Sequence, residues 1–199
     1  MNKTLLVDGN NLFKIGFHGV KDLYNGTNHV GGVYHFINTL RKFLEEHNHD
    51  KVIVFWDGED NSSIRKSIYP KYKNNRRQDM NEYKYESYLN QRERVKQYIE
   101  EVFVRQLEVE NNEADDLIAT ICKEISNDTE VFIVSGDLDN TQLVSENIKV
   151  YTLGKGIKDT VIYDVNKVKE RFGVDPSQMV DFKALTGDQS DNIPGVEGI

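Results

Sequence analysis

Residues 113–125 read EADDLIATICKEI, and this stretch joins a dense acidic group to the clearest helical pattern in the chain. The apolar spacing predicts an amphipathic helix whose first turn holds the acids, where the helix dipole favours negative charge. Crowded carboxylates repel one another, and enclosure would also cost each its solvation, so a bound cation would relieve both penalties. The acids are Glu113, Asp115 and Asp116, and the apolar stripe is Ala114, Leu117, Ile118, Ile121, Cys122 and Ile125.

Three short apolar runs outside this helix also end in acids. A helical pattern over residues 31–46 separates the first two runs, which predicts a βαβ unit in a parallel sheet. Because ligands of open α/β sheets bind beyond the carboxyl ends of the strands, we expect these acids to converge at one edge. The runs and their acids are 3–7 with Asp8, 52–56 with Asp57, and 130–134 with Asp137 and Asp139.

The other segments complete an α/β pattern. A polar segment with scattered apolar positions predicts a long, largely exposed helix over residues 81–103. Asp175 followed by Pro176 is typical of a helix start. Further strands are predicted at 104–109, 148–153 and 160–163, and further helices at 164–172 and 175–185.

The acids together predict a site for divalent metal. A lone Asp after a strand is most often a turn or helix cap, but acidic pairs in three segments plus two acidic strand ends favour metal binding. Oxygen ligands without a His or Cys cluster suit Mg²⁺ or Mn²⁺ rather than zinc. Two such ions could stabilise the attacking and leaving oxygens of an in-line displacement at phosphorus. The candidate ligands are Asp8, Asp57, Glu113, Asp115, Asp116, Asp137, Asp139, Asp188 and Asp191.

A basic stretch lies between the second strand and the long helix. Residues 61–78 carry six Lys or Arg side chains and no acid before Asp79. Tyr69 and Tyr72 interleave these charges, an arrangement suited to stacking on bases beside phosphate contacts. A solvated surface loop is the alternative. Three tyrosines of the following helix, Tyr83, Tyr85 and Tyr88, are expected to pack against it.

Composition sets broad limits on the class of protein. The 199 residues suffice for one sizeable core, and no apolar run is long enough to span a membrane. The formal net charge of −8 alone argues against a nucleic-acid binder, but the basic stretch and bound metal would offset it locally. The single cysteine, Cys122, lies on the apolar helix face and is expected to be a core thiol, which suits a reducing cytoplasm.

Six segments taken together resemble the 5′-nuclease family of bacterial and phage 5′–3′ exonucleases and flap endonucleases, which includes the N-terminal nuclease domain of bacterial DNA polymerase I. They occur in the family's order and span nearly the whole chain. The segments are LLVDGNNL at 5–12, VFWDG at 54–58, YPKYKNNR at 69–76, EADD at 113–116, SGDLDNTQLV at 135–144 and LTGDQSDNIPGVEGI at 185–199.

The resemblance implies an α/β, PIN-like fold with a mixed, mostly parallel sheet flanked by helices. It implies a helical arch over about residues 67–98. Residues 1–165 would form the N-terminal nuclease domain, and residues 166–199 would begin a helical duplex-DNA-binding module that is truncated here.

The resemblance also divides the acids into two metal clusters and gives roles to the basic stretch. Lys73 and Arg76 would grip the scissile phosphate as catalytic residues beside Asp116. The first acid group would be Asp8, Asp57, Glu113, Asp115 and Asp116, and the second acid group Asp137, Asp139, Asp188 and Asp191. The DNA contacts would be Arg65, Lys66, Lys71, Tyr72, Lys73, Arg76 and Arg77.

The function implied is a structure-specific 5′-nuclease with two divalent cations, Mg²⁺ or Mn²⁺. It would hydrolyse DNA near 5′ ends or flaps, leaving 5′-phosphate and 3′-hydroxyl ends, with RNA–DNA hybrids as further candidate substrates. We expect a cytoplasmic monomer without a membrane partner. Two alternatives stay open: a catalytically impaired DNA-junction binding module, and a PIN-type ribonuclease.

Overall fold

The computed structural model describes residues 2–75, 80–153 and 160–198. Six of the described strands form one sheet in the order β5-β4-β1-β6-β7-β8, all parallel except β8, which runs antiparallel to β7. This confirms the mixed, mostly parallel sheet. The strands are β1 Asn2–Asp8, β2 Tyr24–Asn25, β3 Asn28–His29, β4 Lys51–Asp57, β5 Arg105–Val109, β6 Thr129–Val134, β7 Ile148–Thr152 and β8 Val161–Tyr163, with β2 and β3 forming a separate hairpin.

Helices cover both faces of the sheet. One apolar core joins the sheet to α1, α2 and α4, and a second joins it to α5, α6 and α7. Alternate residues of β1 point to opposite faces, so Leu5 lies in the first core and Leu6 in the second. The helices are α1 Gly9–Gly19, α2 Gly31–His47, α3 Ser63–Ile68, α4 Glu82–Glu101, α5 Ala114–Ile125, α6 Val165–Phe172 and α7 Met179–Thr186.

Most predicted elements are present within a residue or two of their expected bounds. Two further helices are present: α1, for which no element was predicted, and α3, at the start of the basic stretch. The acidic turn after β6 is a 3₁₀ helix, Leu138–Leu143, and a second 3₁₀ turn, Pro176–Gln178, precedes α7. Cys122 is fully buried in the second core, as predicted for a structural thiol.

The predicted arch segment is only partly described. It includes the end of α3 and most of α4, and Val95 and Ile99 anchor α4 in the first core. Residues 76–79 lie outside the described ranges, and with them Arg76 and Arg77. Among the described helices, none combines the length and apolar character that a membrane crossing requires.

Candidate functional site

The acid at the end of β1 is buried between two neighbouring segments. Asp8 accepts a hydrogen bond from the Asn11 backbone N–H at 2.9 Å, which caps α1, and one from the Ser135 hydroxyl at 3.0 Å. Burial raises the pKa of Asp8 to about 6, against the lowering effect of the Asn11 hydrogen bond, and the charge of Asp57 raises it further. The fold therefore holds this carboxylate in a place where its negative charge is poorly compensated.

The acid at the end of β4 fixes the start of α5. The Ala114 backbone N–H donates to Asp57 Oδ1 at 2.9 Å. Glu113 caps α5 and exchanges side-chain-to-backbone hydrogen bonds with Asp116 in a capping box. The predicted convergence of strand-end acids with the first turn of α5 is thus present.

A guanidinium group covers the outer side of this first turn. Arg65 donates two hydrogen bonds to Asp116, from Nη1 to Oδ2 at 2.7 Å and from Nη2 to Oδ1 at 2.9 Å. Its Nη2 lies 3.6 Å from Asp115 Oδ1, a buried oxygen without a hydrogen-bond partner in the described part of the chain. Burial raises the pKa of Asp115 to about 7, opposed by Arg65 and reinforced by Glu113 and Asp116.

Lys73 and Tyr72 both contact the carboxylate of Glu113, a residue that is only 4% exposed. The Lys73 ammonium donates to the two carboxylate oxygens at 2.8 and 2.6 Å, and the Tyr72 hydroxyl lies 3.2 Å from the nearer one. The Tyr72 ring is itself only 4% exposed. In this conformation the ring has little exposed face for stacking, and the predicted contact of Tyr72 with DNA stays a prediction.

Two distant segments meet at Lys73. Its backbone N–H donates to the Asp191 carbonyl at 2.9 Å, and its ammonium lies 4.0 Å from the Asp191 carboxylate. Two side-chain amides add parallel links, from Asn75 to the Gln189 carbonyl at 2.7 Å and from Asn192 to the Lys71 carbonyl at 2.8 Å. We call this set of contacts between residues 71–75 and 188–192 the clasp. It brings the second acid group to the first.

Lys73 also has an unusual backbone conformation. Its φ of 55° lies in the left-handed region, which is costly for a side chain with a Cβ. The Asp191 carbonyl holds this conformation by accepting the Lys73 N–H. Strain kept in this way is typical of functional positions, and here it aims the ammonium group at Glu113.

The second acid group is organised by another lysine. Lys183 lies 2.7 Å from Asp139 Oδ1 and 2.8 Å from Asp188 Oδ2, so it bridges the two carboxylates. Burial alone would raise the pKa of Asp188, but hydrogen bonds from Lys183 and Ser190 outweigh it and lower the pKa to about 2. Asp137 caps the 3₁₀ helix by accepting from the Asp139 N–H at 2.9 Å. Sequence reasoning missed Lys183, although its place five residues before Asp188 was a usable signal.

Basic side chains lie among the acids of both groups. Within residues 2–75, 80–153 and 160–198, no three acidic, His or Cys side chains stand close enough together to hold an ion. Arg65, Lys73 and Lys183 lie among the carboxylates instead. The donor set fits a hard cation, because the carboxylates of the buried Asp8 and the partly buried Asp115 have charges that the fold compensates poorly.

The basic side chains among the predicted DNA contacts fall into three classes. Lys66 and Lys71 are exposed and free to face a partner. Arg65 and Lys73 are engaged with acids, and Arg76 and Arg77 lie outside the described residues. Sequence reasoning also missed Arg92 of α4, which reaches Asn10 and the Asp57 carbonyl at 3.3 and 3.4 Å.

Comparison with known proteins identifies the family to which the chain belongs. Residues 3–173 match the family model described as 5′-3′ exonuclease, N-terminal resolvase-like domain. The chain belongs to this family. The chain is 35% identical over 199 residues to DNA polymerase I of Bacillus subtilis and 36% identical over 200 residues to the thermostable DNA polymerase I of Thermus aquaticus. In both cases 99% of the chain is covered, but the match spans only 22% of the polymerase.

Two solved structures have the same fold as this chain. A bacteriophage T5 5′-exonuclease with bound zinc ions superposes with a TM-score of 0.82 at 24% identity. A T5 flap endonuclease in a complex with DNA and metal ions superposes with a TM-score of 0.80 at 23% identity. Each match covers the whole chain and 71% of the T5 protein. At this identity the likeness establishes the fold, which is that of a 5′-nuclease.

Proposed function

We propose that this exonuclease domain is a structure-specific 5′-nuclease that hydrolyses DNA phosphodiesters and leaves 5′-phosphate and 3′-hydroxyl ends. One observation carries the proposal. Lys73 joins the two acid groups, since its ammonium binds Glu113 while its backbone is held by Asp191. A cation between two sets of carboxylates is what a site for a phosphate and its metal ions requires.

The proposed cofactors are two divalent cations, Mg²⁺ or Mn²⁺. The residues that would hold them are those of the two acid groups, because their oxygens suit hard cations. When bound, such ions neutralise phosphate charge and raise the reactivity of water toward phosphorus. The T5 relatives were solved with metal ions, which supports a metal site of the same kind here.

The chain's own residues would do the rest of the work. Lys73 and Arg65 would orient the phosphate and stabilise its developing negative charge. Asp57 and Asp8 would keep α5 and α1 in place through the Ala114 and Asn11 hydrogen bonds. Arg76 stays a proposal as a second phosphate ligand, since it lies outside the described residues.

The proposed substrate is DNA with a 5′ end or a 5′ flap. The T5 flap endonuclease was solved with DNA, and the curated relatives are DNA polymerases. The exposed Lys66 and Lys71 offer contacts to the phosphate backbone. The segment from residue 166 onward stays proposed as the start of a duplex-binding module.

A flap-cleavage assay tests this proposal. The chain is incubated with a labelled 5′-flap DNA in Mg²⁺, in Mn²⁺ and in EDTA, beside Asp116→Asn. We expect cleavage in either metal, none in EDTA, and a loss of roughly a hundredfold or more in the variant. Asp128→Asn is the matched control, because Asp128 is exposed just before β6 begins, at the opposite end of that strand from the acids.

The outcomes separate the alternatives. An Asp116→Asn protein that cleaves as fast as the parent would contradict the catalytic assignment. Flap binding without Mg²⁺-dependent cleavage would point to a junction-binding module instead. Faster cleavage of single-stranded RNA than of flap DNA would select the ribonuclease alternative.

A further inference from the structure

One buried hydroxyl group connects the two acid groups at the end of the sheet. Ser135 directly follows β6 and is only 1% exposed. Its hydroxyl donates a hydrogen bond to Asp8 Oδ2 at 3.0 Å and accepts one from the Asp137 backbone N–H at 3.1 Å. Asp8 belongs to the first acid group and Asp137 to the second. The same hydroxyl therefore contacts a strand end and a turn that each carry acids.

A second side chain makes a parallel connection. The Gly136 backbone N–H donates to Asn11 Oδ1 at 2.7 Å, and the Asn11 backbone N–H donates to Asp8 Oδ1 at 2.9 Å. The approach is close, because a Cβ at Gly136 would lie 2.8 Å from Asn11 Oδ1. The two carboxylate oxygens of Asp8 are thus connected to the turn after β6, one through Ser135 and one through Asn11. We call these hydrogen bonds among Asp8, Asn11 and residues 135–137 the strand-end network.

The hydroxyl of Ser135 suits both of its partners. A serine hydroxyl has one proton to donate and lone pairs that accept. Because the Asp137 N–H only donates, the hydroxyl proton is available for the Asp8 carboxylate, which in its ionised form only accepts. Without the hydroxyl, a carboxylate oxygen and a backbone N–H would both lose a partner. Asp8 is only 7% exposed, so little water reaches it to replace the lost hydrogen bond.

The strands are held together by other contacts. Parallel pairing of β1 with β6 extends to Val7 and Val134, the last residues before the network. The Ser135 backbone is fixed on the other side of β6, where its N–H donates to the Tyr151 carbonyl at 3.1 Å. Apolar side chains of both strands are buried in the two cores. The hydroxyl therefore adds little to strand pairing and instead sets the position of Asp8 relative to the turn.

The strand-end network and the clasp connect the acid groups at different places. The clasp uses side chains of residues 71–75 and 188–192, and its amide hydrogen bonds are exposed. The network lies at the ends of β1 and β6, which are neighbours in the middle of the sheet. It is the buried connection of the two.

Side chains that orient metal-binding carboxylates affect metal affinity without contacting the ion. Loss of such a partner typically lowers metal affinity or activity by about 10–100-fold. The network orients Asp8 directly and fixes the backbone of Asp137. Asp137 in turn accepts from the Asp139 N–H at 2.9 Å, so the position of the turn affects both of its acids.

We propose that Ser135 is a positioning residue of the nuclease, and that its hydroxyl holds Asp8 and the Asp137 turn in the relative position in which the two acid groups bind their cations. The inference rests on the proposed function, because that function assigns cations to these acids. Since Ser135 is buried, its role concerns metal affinity and turnover rather than contact with DNA.

Mn²⁺ binding without DNA tests the role of the hydroxyl. Free Mn²⁺ is measured by electron paramagnetic resonance during titration of the parent, Ser135→Ala and Ser135→Thr. We expect the Kd for Mn²⁺ to rise by about 10–100-fold in the alanine variant. The threonine variant keeps the hydroxyl and should stay within about threefold of the parent. Ser135→Cys keeps the size of the side chain but donates only weakly, so it should resemble the alanine variant.

Val168→Ala is the control for a general loss of stability. Val168 is fully buried in the second core and lies on α6. That helix follows β8, whose antiparallel direction places its end at the edge of the sheet opposite the acids. The substitution leaves a cavity and lowers stability, but the Kd for Mn²⁺ should not change. Melting temperatures show that each variant is folded.

Cleavage of flap DNA separates positioning from DNA binding. In Ser135→Ala, the Mn²⁺ concentration for half-maximal cleavage should rise by about the same factor as the Kd, about 10–100-fold. The KM for DNA at saturating Mn²⁺ should stay within about twofold of the parent, because no contact with the substrate is removed.

Three results would overturn the inference: a Ser135→Ala protein that binds Mn²⁺ as tightly as the parent, a Ser135→Thr protein that loses as much affinity as Ser135→Ala, or equal weakening by Val168→Ala. Flap cleavage by the parent together with unaffected Ser135→Ala would refute this role and leave the proposed function standing. Weaker Mn²⁺ binding by Ser135→Ala in a chain that does not cleave would support the positioning role and refute the proposed function. A parent that neither binds Mn²⁺ nor cleaves would refute both.

Discussion

Asp115 in the first acid group and Asp188 in the second have pKa values that folding shifts in opposite directions. Burial raises the pKa of Asp115 to about 7, whereas Lys183 and Ser190 overcome burial and lower that of Asp188 to about 2. The first carboxylate is enclosed near other acids, and the second is bonded into a turn. Asp115 therefore carries unfavourable charge that a ligand could relieve, whereas the charge of Asp188 stabilises its own turn.

The largest expected difference between the groups concerns their lysines. Lys73 contacts Glu113 and approaches Asp191, whereas Lys183 contacts acids of the second group only. We expect Lys73→Gln to slow flap cleavage by about a hundredfold to a thousandfold, as for loss of a group that stabilises developing charge. Lys183→Gln should slow it by about tenfold or less. Single-turnover cleavage rates in Mg²⁺ measure the effect of each variant. If the two variants lost the same factor in rate, Lys73 and Lys183 would not differ in their roles.

The next effect is on thermal stability at pH 8 in EDTA. A raised pKa means that the native state holds the Asp115 proton more tightly, so stability falls as pH rises from about 4 to about 7. Asp115→Asn removes this penalty and should raise the melting temperature by about 2–4 °C, equivalent to roughly 1 kcal/mol. Added Mg²⁺ should then stabilise the parent more than this variant.

The corresponding change in the second group should have the opposite sign. Because the pKa of Asp188 is lowered, its stabilisation is complete above about pH 4 and is lost as pH falls toward 2. At pH 8, Asp188→Asn should lower the melting temperature by about 2–4 °C, since its bonds to Lys183 and Ser190 weaken. If Asp115→Asn and Asp188→Asn shifted the melting temperature in the same direction, the contrast between these two acids would be wrong.

The last prediction concerns His49, whose titration adds its own pH dependence to the stability of the protein. Burial lowers the pKa of His49 to about 4, with further lowering by His47 and Lys3. The unfolded state therefore binds more protons between about pH 4 and 6.5, so His49 makes stability fall as pH falls through that window. The free energy of unfolding is measured with urea at a series of pH values. His49→Phe, a change beside Phe132, should remove the fall in stability toward low pH in this window. The opposite trend, which Asp115 causes, should remain. An unchanged profile would exclude His49 as its source.

The parts of the site that follow from local sequence were predictable. The runs ending at Asp8 and Asp57 are apolar strands, and the stripe after Glu113 fixes α5 and its cap. The spacing of apolar residues and the residues typical of helix ends suffice to predict these elements, because neighbouring residues determine them. The convergence of the acids then follows from parallel pairing, in which Asp8 stands opposite Phe55.

The rest depends on contacts between distant residues. Helix α1 is amphipathic but short, and its Gly16 lies so close to His35 that an added Cβ would come within 2.5 Å of the His35 Cβ. The Arg65–Asp116 pair joins residues 51 positions apart, and the Tyr72–Glu113 contact joins residues 41 apart. Such pairings are set by tertiary packing, so the contacts of Arg65 and Tyr72 with the acids could not be predicted from the sequence alone.

The clasp has a consequence for the order of events during synthesis. It ties residues 71–75 to residues 188–192, with hydrogen bonds that span 114 and 121 positions. Closing so long a loop is entropically costly until the segments between are folded. A chain emerging from the ribosome can therefore form β1, β4 and α5 early, yet Lys73 receives its Asp191 partner only after residue 191 has emerged. The contact between these two segments therefore forms last, after the strands and helices that carry the acids.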